Sequence, residues 1–273
     1  MANKYCSSFN GLPRSVAELG PGSSFGTGLA ALLSGVNKYY AFDVVPHTKD
    51  ERNMEVFDEL LALFKRKEAI PTSKEFPEIF TELDDYRFPA HILNDDILGA
   101  ALSPARTTNI RRELSGTNKL APENAFIVSV VPWHDVNIIS EGIVEMVVSM
   151  SVMEHVDDLE LAYRAFGSWL KKGGVMSHEI DFRSHGHSDV WNGHWSYSDF
   201  VWWIIRGKRP YLLNRAPHST HIDLIKAHGF DIVADIPKQD HTGLRRDDLA
   251  KRFKSLSDAD ICTKNAYVLA TKK

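Results

Sequence analysis

Histidine is concentrated in one part of this 273-residue chain, which contains twelve histidines. Eight of them fall within residues 178–241, where an even distribution would place about three. Because imidazole titrates near neutral pH, it serves both as a general base and as a metal ligand. The spacing therefore raises three interpretations, which are a metal cluster, a catalytic base and a chance excess.

A carboxylate and a histidine stand where a predicted strand ends. Val175–Phe182 has the β-branched and aromatic composition of a strand, and alternation places His178 and Asp181 on opposite faces. Asp181 and His185 then lie at or just past the end of this strand. We predict that His185 acts as a general base oriented by Asp181, or that Asp181 acts alone. The alternative is that Asp181 caps a turn and His185 is a hydrogen-bonded loop histidine.

The same loop also contains metal-ligand residue types. Asp181, His185, His187 and Asp189 are hard-to-borderline ligands. However, His-x-His in a loop is not a specific zinc pattern, and no cysteine accompanies it. A metal ion, and with it a metal-dependent hydrolase, is therefore an alternative, and we predict no metal site.

An aromatic-rich segment follows this loop. Trp191 and Trp195 are four residues apart with His194 between them, and aromatic faces stack on sugars as well as filling cores. We predict that Trp191, His194 and Trp195, together with His187, line the acceptor side of the site. Residues 183–217 are accordingly interpreted as an acceptor-side segment for a hydroxylated small molecule.

These candidates need a scaffold, and the first 45 residues predict one. Ser15–Leu19 is a short apolar strand followed by a glycine turn, residues 26–33 are helical in pattern, and Lys38–Val45 is a second strand. A strand, a helix and a strand within about 30 residues form a βαβ unit with parallel strands.

The remaining chain extends this pattern. Residues 47–122 interrupt it with helical periodicity, so we predict a helical insertion between strands 2 and 3 that acts as a lid or substrate subdomain. The further predicted strands are 125–131, 144–152, 175–182, 230–236 and 266–271. The prediction is a single α/β domain over 1–273, with a Rossmann-like, doubly wound, seven-stranded, mostly parallel sheet whose last strand is antiparallel.

The glycine turn after the first strand predicts a ligand site. Gly20 and Gly22 flank Pro21 and let the backbone approach a ligand closely. Glu18 at the strand end would repel a pyrophosphate and attract an ammonium group. Asp43, at the end of the second strand, can accept hydrogen bonds from ribose hydroxyls. A dinucleotide fingerprint would need a third glycine one position before Gly26.

At these residues the sequence resembles the class I S-adenosylmethionine-dependent methyltransferases. The E-x-G-x-G motif of that family is matched by Glu18, Gly20 and Gly22, and its second-strand acid by Asp43. Glu154 and His155 match its fourth-strand segment D-x-x-x-x-S-x-x-x-E-H-V, with Ser149 one position before the serine of that pattern. The 170–174 segment is similar to its L-K-P-G-G turn. Glu145 and Lys172 depart from the pattern, which puts turn geometry in doubt more than ligand contacts.

The resemblance implies S-adenosylmethionine as cofactor. Its methionine part would lie over Gly20–Gly22, with Ser149 nearby, and its ribose on Asp43. The adenine would be reached from residues 133–135, where Trp133 stacks and His134 or Asp135 bonds the amino group; plain packing is the alternative for Trp133. His155, which lies near the cofactor in the family, is a third catalytic candidate. The D-x-R-x-H-G-H-S-D-x-W-N pattern from Asp181 is similar to methyltransferases of surface-polysaccharide assembly, which implies O-methylation of a sugar or glycan.

The composition of the chain argues against several other classes of protein. The net charge of −4 gives no reason to expect nucleic-acid binding. No apolar stretch approaches the ~20 residues of a membrane span, residues 1–15 show no secretion signal, and two cysteines form no disulfide framework, so we expect a cytoplasmic protein. A homo-oligomer is left open. The remaining alternatives are an inactive cofactor-binding scaffold and an NAD-dependent oxidoreductase.

Overall fold

The structure is a computed structural model that describes residues 2–6, 11–75, 82–116 and 123–273. Residues 76–81 and 117–122 of the predicted insertion, and 7–10 of the N-terminal segment, lie outside the described residues. The strands are β1 (Ser15–Leu19), β2 (Lys38–Phe42), β3 (Ile127–Val130), β4 (Val144–Met150), β5 (Leu170–Asp181), β6 (Phe230–Gln239) and β7 (Thr263–Lys272).

Helices alternate with these strands. They are α1 (Ala2–Tyr5), α2 (Gly26–Leu33), α3 (Asp50–Arg66), α4 (Asp95–Ala101), α5 (Pro104–Leu114), α6 (Leu159–Trp169), α7 (Asp199–Arg206), α8 (His218–Ala227) and α9 (Asp258–Cys262). Short 3₁₀ turns include Val136–Ile138, Met153–His155 and Gly193–Ser196. Among the described residues, no helix is long and apolar enough to cross a membrane.

The seven strands form one sheet in the order β3-β2-β1-β4-β5-β7-β6. Strand β1 runs parallel to β2 and to β4, and β2 runs parallel to β3. Strand β7 runs antiparallel to β6. This confirms the predicted doubly wound sheet with an antiparallel last strand.

The structure differs from the prediction at the start of β5 and at the end of β2. Residues 171–174 were expected to form a turn between helix and strand, but they belong to β5, which begins at Leu170 directly after α6. Gly173, with a φ of 74°, supplies the left-handed backbone within this irregular strand start, where the sequence had indicated a loop. Strand β2 is also shorter than expected and ends at Phe42, so Asp43 follows it directly.

The chain folds into two compact units. The first comprises Met1–Ser149 with Ser168–Val175, and its core contains Leu29 and Leu32 of α2 and Tyr39 of β2, all with no exposed surface. Phe57 of α3 and Ile110 of α5 join this core. The predicted insertion thus contributes helices that bury apolar side chains, while its role as a lid stays a prediction.

The second unit comprises Met150–Gly167 with Met176–Lys273. Two histidines of the dense region lie in its interior with no exposed surface, namely His178 on β5 and His221 on α8. Tyr163 lies 2.9 Å from His221 Nδ1, and the ring of Phe166 stacks on His178. Burial lowers the pKa of each imidazole to about 3, so both are neutral core residues near pH 7.

Candidate active site

The turn after β1 presents backbone rather than side chains. Gly20 and Gly22 both have a φ of 69°, a conformation that glycine adopts without strain. The Gly20 amide donates to the carbonyl of Phe42 at 2.8 Å, which ties the turn to the end of β2. A Cβ on Gly22 would meet nothing within 4 Å, so there is open space beside this turn. The turn therefore has room for a ligand close to its main chain.

Glu18, the fourth residue of β1, anchors the start of α2. Its carboxylate accepts a 2.5 Å hydrogen bond from the Tyr39 hydroxyl, and further bonds come from the Thr27 side chain and the Gly28 amide. Gly28 must be glycine because a Cβ there would lie 2.2 Å from the Tyr39 ring. Burial raises the pKa of Glu18, while these three donors oppose the rise. Glu18 thus binds one amide, that of Gly28, and one hydroxyl, that of Thr27, in the first turn of the helix that follows the glycine turn.

Asp43 lies at the neighbouring strand end. The β1–β2 register pairs Leu19 with Phe42, so the glycine turn and Asp43 leave the sheet from adjacent strands. Asp43 Oδ1 accepts hydrogen bonds from the amides of Val44 at 2.7 Å and Val45 at 3.3 Å. These bonds fix the orientation of a carboxylate that is 8% exposed.

The predicted cofactor-binding residues on β4 and in the loop after β3 differ in how deeply they are buried. Trp133 is bonded through its amide to the Asp43 carbonyl and packs edge-on against Trp169, leaving 6% of it exposed. His134 and Asp135 are exposed, and Asp135 caps the 3₁₀ turn by accepting from the Asn137 amide at 2.9 Å. Ser149, 5% exposed, lies near the end of β4. Trp133 thus combines core packing with proximity to Asp43.

In the second unit, the structure brings Asp181 and His185 together. Asp181 is the last residue of β5, and His185 Nε2 lies 3.4 Å from its Oδ2. Arg183 forms a two-pronged ion pair with the same carboxylate, with Nε 2.9 and 2.8 Å from the two oxygens. Burial opposes the charge of Asp181, but the bonds from His185 and Arg183 outweigh burial and hold its pKa well below the usual range. Asp181 is therefore an ionised partner for the His185 ring.

Glu154 and His155 join this pair from the 3₁₀ turn after β4. Asn214 fixes the turn by donating from its side chain to the carbonyls of Met153 and Val156. His155 packs its ring edge-on against His185, with centroids 5.0 Å apart, and its Nδ1 lies 3.2 Å from the Tyr211 carbonyl. Burial, and then the neighbouring His185, lower the pKa of His155. A neutral His155 therefore donates through Nδ1.

Glu154 is the exceptional member of the cluster. Its side chain is 4% exposed, and no side chain of the described residues donates a hydrogen bond to its carboxyl oxygens, which interact instead with the backbone amides of Glu154 itself and of Asp181. The group closest to it that can carry a positive charge is His185, whose Nε2 lies 3.9 Å from Glu154 Oε1. Burial, reinforced by the charge of Asp181, raises the pKa of Glu154 to about 8. The group is mainly protonated at neutral pH.

Three of these side chains could hold a metal ion. The ligand atoms of Glu154, His155 and His185 all lie within 4.8 Å of one another. A two-histidine, one-carboxylate set suits a divalent transition metal. Since His185 Nε2 also contacts Asp181, a metal at this position would compete with the Asp181–His185 interaction.

The loop that carries His185 is held from both sides. His185 has a φ of 46°, which is uncommon for a residue with a Cβ, and Gly186 follows with a φ of 78°. Ser184 closes the loop by donating from its hydroxyl to the carbonyls of Ser188 and Val190. Asn192, fully buried, bonds the main chain of Leu244 with both ends of its side-chain amide. Strained conformations persist where surroundings enforce them, which is typical of functional sites.

The predicted acceptor-side residues divide into half-exposed and core positions. His187 and Trp191 are half-buried, and His187 Nδ1 lies 2.9 Å from the Ser184 carbonyl. Trp195 instead has no exposed surface and packs with Leu249, Phe253 and Ile261, and its Nε1 donates to the Arg215 carbonyl. His194 is 2% exposed, and burial, followed by the charge of Arg215, lowers its pKa to about 3. The structure thus places Trp195 and His194 in the interior, which differs from the pocket wall that the sequence suggested.

Sequence reasoning missed several of these residues. Tyr39, Thr27 and Gly28 carry no motif of their own, although a buried strand-end glutamate signals a need for donors. Glu154 stood in a recognised Glu-His pair, and only three-dimensional structure reveals that its buried oxygens have no side-chain donor. Arg183 was visible two residues after Asp181, the spacing at which side chains on one face of a strand meet.

Comparisons with known proteins give matches among solved structures only. No protein-family model matches the chain, and no curated protein matches its sequence. Among solved structures, the chain is similar to an S-adenosylmethionine-dependent methyltransferase from Mesorhizobium loti, at 12% identity and a TM-score of 0.44 over 99% of this chain and 96% of that one. It is also similar to the YcgJ protein of Bacillus subtilis, at 10% identity and a TM-score of 0.45 over 100% and 97% of the two chains.

A third similar structure contains a cofactor. It is phosphoethanolamine N-methyltransferase 2 of Haemonchus contortus in complex with S-adenosyl-L-methionine, at 12% identity and a TM-score of 0.46 over 100% of this chain and 51% of that one.

Proposed function

We propose that the chain is an S-adenosylmethionine-dependent methyltransferase that O-methylates a hydroxyl group of a sugar, glycan or similar polar small molecule. The observation that carries this proposal is the open Gly20–Gly22 turn beside Asp43, at the carboxyl ends of two adjacent parallel strands. Ligands of open α/β sheets bind at these strand ends. The Asp181–His185 pair adds a proton acceptor of the kind that a hydroxyl substrate requires.

The residues of the first unit fit this cofactor. The left-handed glycines leave main-chain polar groups accessible, and the fixed Asp43 carboxylate suits a ribose diol. Trp133, His134 and Asp135 would border the adenine, and Ser149 the methionine part. When bound, the cofactor supplies a methyl group on a sulfonium, which is already a good leaving group, so the protein has mainly to position the acceptor.

Glu18 argues against a dinucleotide in the same fold. A pyrophosphate binds the free amides at the N-terminus of the first helix. Here the Glu18 carboxylate already accepts from the Gly28 amide and the Thr27 side chain. A phosphate would have to displace a buried anion, so this observation favours methyl transfer over NAD-dependent oxidation.

His185 is the proposed base. Since its Nε2 faces the ionised Asp181, Nε2 carries the proton of the neutral ring and Nδ1 is left to accept one. With the cofactor bound, Nδ1 of His185 would take the proton of the acceptor hydroxyl as that oxygen receives the methyl group. His155 would position His185 through its edge-on ring contact, and His187 and Trp191 would border the acceptor.

Calorimetric binding tests the cofactor assignment. S-adenosylmethionine and its demethylated product should bind, whereas NAD should not. Asp43→Ala should weaken binding by about 10- to 100-fold, the value of a charge-assisted hydrogen bond or two. Asp96→Ala, at an exposed position of α4, is the matched control. Failure of both sulfur ligands to bind would refute the proposal, and tight binding of NAD would replace it with oxidoreduction.

The acceptor is identified separately. The protein is incubated with labelled cofactor and fractionated glycan extracts, and products are analysed by mass spectrometry for methyl ethers. Cofactor binding without transfer to any fraction would favour the inactive scaffold.

A further inference from the structure

Helix α7 exposes an unusual amount of apolar surface. Phe200, Trp203 and Ile204 are 68%, 69% and 58% exposed, and Val201 is 40% exposed. These are four of the nine large hydrophobic residues that are exposed in the described part of the chain. Isolated exposed apolar residues are ordinary, but a contiguous group on one helix marks an interaction surface.

The geometry of α7 explains why these side chains point outward. Ser198 caps the helix by accepting from the Val201 amide, and Gly207 ends it with a φ of 54°. Trp202, 6% exposed, fixes the inner face by packing against Tyr197 and under the Arg215 guanidinium, 4.8 Å from its ring. Phe200, Trp203 and Ile204 follow the i, i+3, i+4 spacing of one helical stripe, so they share the opposite face.

Basic side chains border this stripe. Residues 200–210 contain Arg206, Lys208 and Arg209 and no acidic residue, and Lys208 and Arg209 are exposed. Arg206 pairs with Asp157 at 2.5 Å, and the Arg209 guanidinium donates to the carbonyls of Ile205 and Arg206, so a partner would meet the ammonium of Lys208 and the exposed positive charge of Arg209. Since the whole chain carries a net charge of −4, this positive group is a local exception.

We infer that α7, with its C-terminal basic residues, docks on the surface of an anionic phospholipid bilayer. Trp and Phe rings settle at the headgroup level, and a short amphipathic helix can lie in the interface with its apolar face buried. Lys208 and Arg209 provide charge complementarity to anionic headgroups, each contributing about 1 kcal/mol. The net negative charge elsewhere would orient the chain with α7 towards the membrane. This inference is independent of methyl transfer.

Vesicle co-sedimentation of the full chain tests the inference. The protein should bind vesicles of phosphatidylcholine mixed with phosphatidylglycerol, bind pure phosphatidylcholine weakly, and release as salt rises. Lys208→Gln with Arg209→Gln should weaken binding roughly 25-fold, from about 5-fold for each charge. Phe200→Ser with Trp203→Ser should weaken it more than about tenfold. Ile236→Ser, at an exposed apolar position on β6, is the control and should bind like the parent.

Fluorescence gives a second readout. Trp203 is the most exposed of the six tryptophans, so its insertion should shift the emission to the blue. Trp203→Phe should retain binding and lose most of this shift. Equal binding to both vesicle types, or unchanged binding by the Phe200/Trp203 double variant, would overturn the inference. A dimer that this double variant abolishes would also overturn it, because a second copy would then cover the patch.

Discussion

Two buried glutamates distinguish the two regions of this molecule. Glu18, in the first unit, accepts hydrogen bonds from the side chains of Tyr39 and Thr27 and the amide of Gly28, whereas Glu154, in the second, has no side-chain donor in the described structure and meets only backbone amides. Burial raises the pKa of both carboxyl groups. A buried glutamate is thus hydrogen-bonded by side chains and structural in the first unit. In the second unit a buried glutamate lacks side-chain donors, which disfavours its charged form.

The difference teaches how each region serves the proposed reaction. The glycine turn needs a rigid backbone, and a satisfied glutamate supplies rigidity by fixing the start of α2. The Asp181–His185 pair needs side chains whose protonation can change, and two features mark such a place, namely the buried Glu154 without a side-chain donor and the strained His185 backbone. We therefore expect Glu18 to hold the glycine turn rigid, and the residues around Glu154 to take part in proton transfer.

The largest predicted effect is the loss of turnover in His185→Ala. Removing the proposed base should lower kcat roughly 10²- to 10⁴-fold, measured with an acceptor fraction that the wild type methylates. Cofactor affinity should be unchanged, because the cofactor residues lie elsewhere in the chain. Asp181→Asn should also lower kcat, since the ring would lose its anionic partner.

His241→Ala is the matched control, because His241 is an exposed histidine of the same dense region. If His185→Ala turns over normally, the proposed role of the second region is wrong. If cofactor affinity falls as well, His185 has a structural role.

The second prediction concerns pH and Glu154→Gln. The folded pKa of about 8 lies above the ordinary value of 4.5, so Glu154 contributes full stability below the unfolded pKa and loses it as pH rises through the folded pKa. Glutamine stays neutral, so the free energy of unfolding of the variant should exceed that of the wild type progressively, by about 1.4 kcal/mol per pH unit between those values. Asp181, Arg183 and His185 are the charged or titratable neighbours.

Urea unfolding at a series of pH values measures this difference. Glu141→Gln, at an exposed position, is the control and should follow the wild type. Parallel stability curves for wild type and Glu154→Gln would mean that Glu154 finds a partner in solution.

Much of the fold could be predicted from the sequence, because strand and helix periods report burial directly. β1 and α2 occupy the predicted residues, and the predicted seven-stranded, doubly wound sheet with an antiparallel last strand is the one observed. The start of β5 could not be predicted, since Lys171–Gly174 has the composition of a turn and joins a strand only through its neighbours in the sheet.

The candidate site was less accessible to sequence reasoning. The pairing of Asp181 with His185 could be predicted from their position at a strand end, and His185 Nε2 lies 3.4 Å from Asp181 Oδ2. The burial of Trp195 and His194 could not, because a tryptophan that stacks on a ligand and one that fills a core have the same local sequence. That distinction depends on Leu249, Phe253 and Ile261, which are distant in the chain.

The third prediction tests the rigidity of the first region. Gly28→Ala would place a Cβ 2.2 Å from the ring of Tyr39, which has no exposed surface and no room to move. The overpacking should cost about 1–3 kcal/mol in the free energy of unfolding. Gly99→Ala in α4 is the control, since its Cβ would meet nothing within 4 Å, and it should be neutral or slightly stabilising. Equal effects of the two substitutions would show that Tyr39 yields easily.

Glu18→Gln has the smallest predicted effect. Whether it lowers or raises the free energy of unfolding tests the comparison between Glu18 and Glu154. Glutamine keeps one acceptor oxygen but turns an amide NH₂ towards a group of donors, so we expect a loss of about 1–2 kcal/mol at pH 8, where Glu154→Gln should stabilise. Tyr39→Phe removes the opposing hydroxyl, so the double variant should lose less than the sum of the single variants in a double-mutant cycle. Additive losses would place the Tyr39 hydroxyl outside the network. A stabilising Glu18→Gln would mean that removing the buried charge outweighs the mismatched amide, and the two regions would then not differ in the way that their geometry indicates.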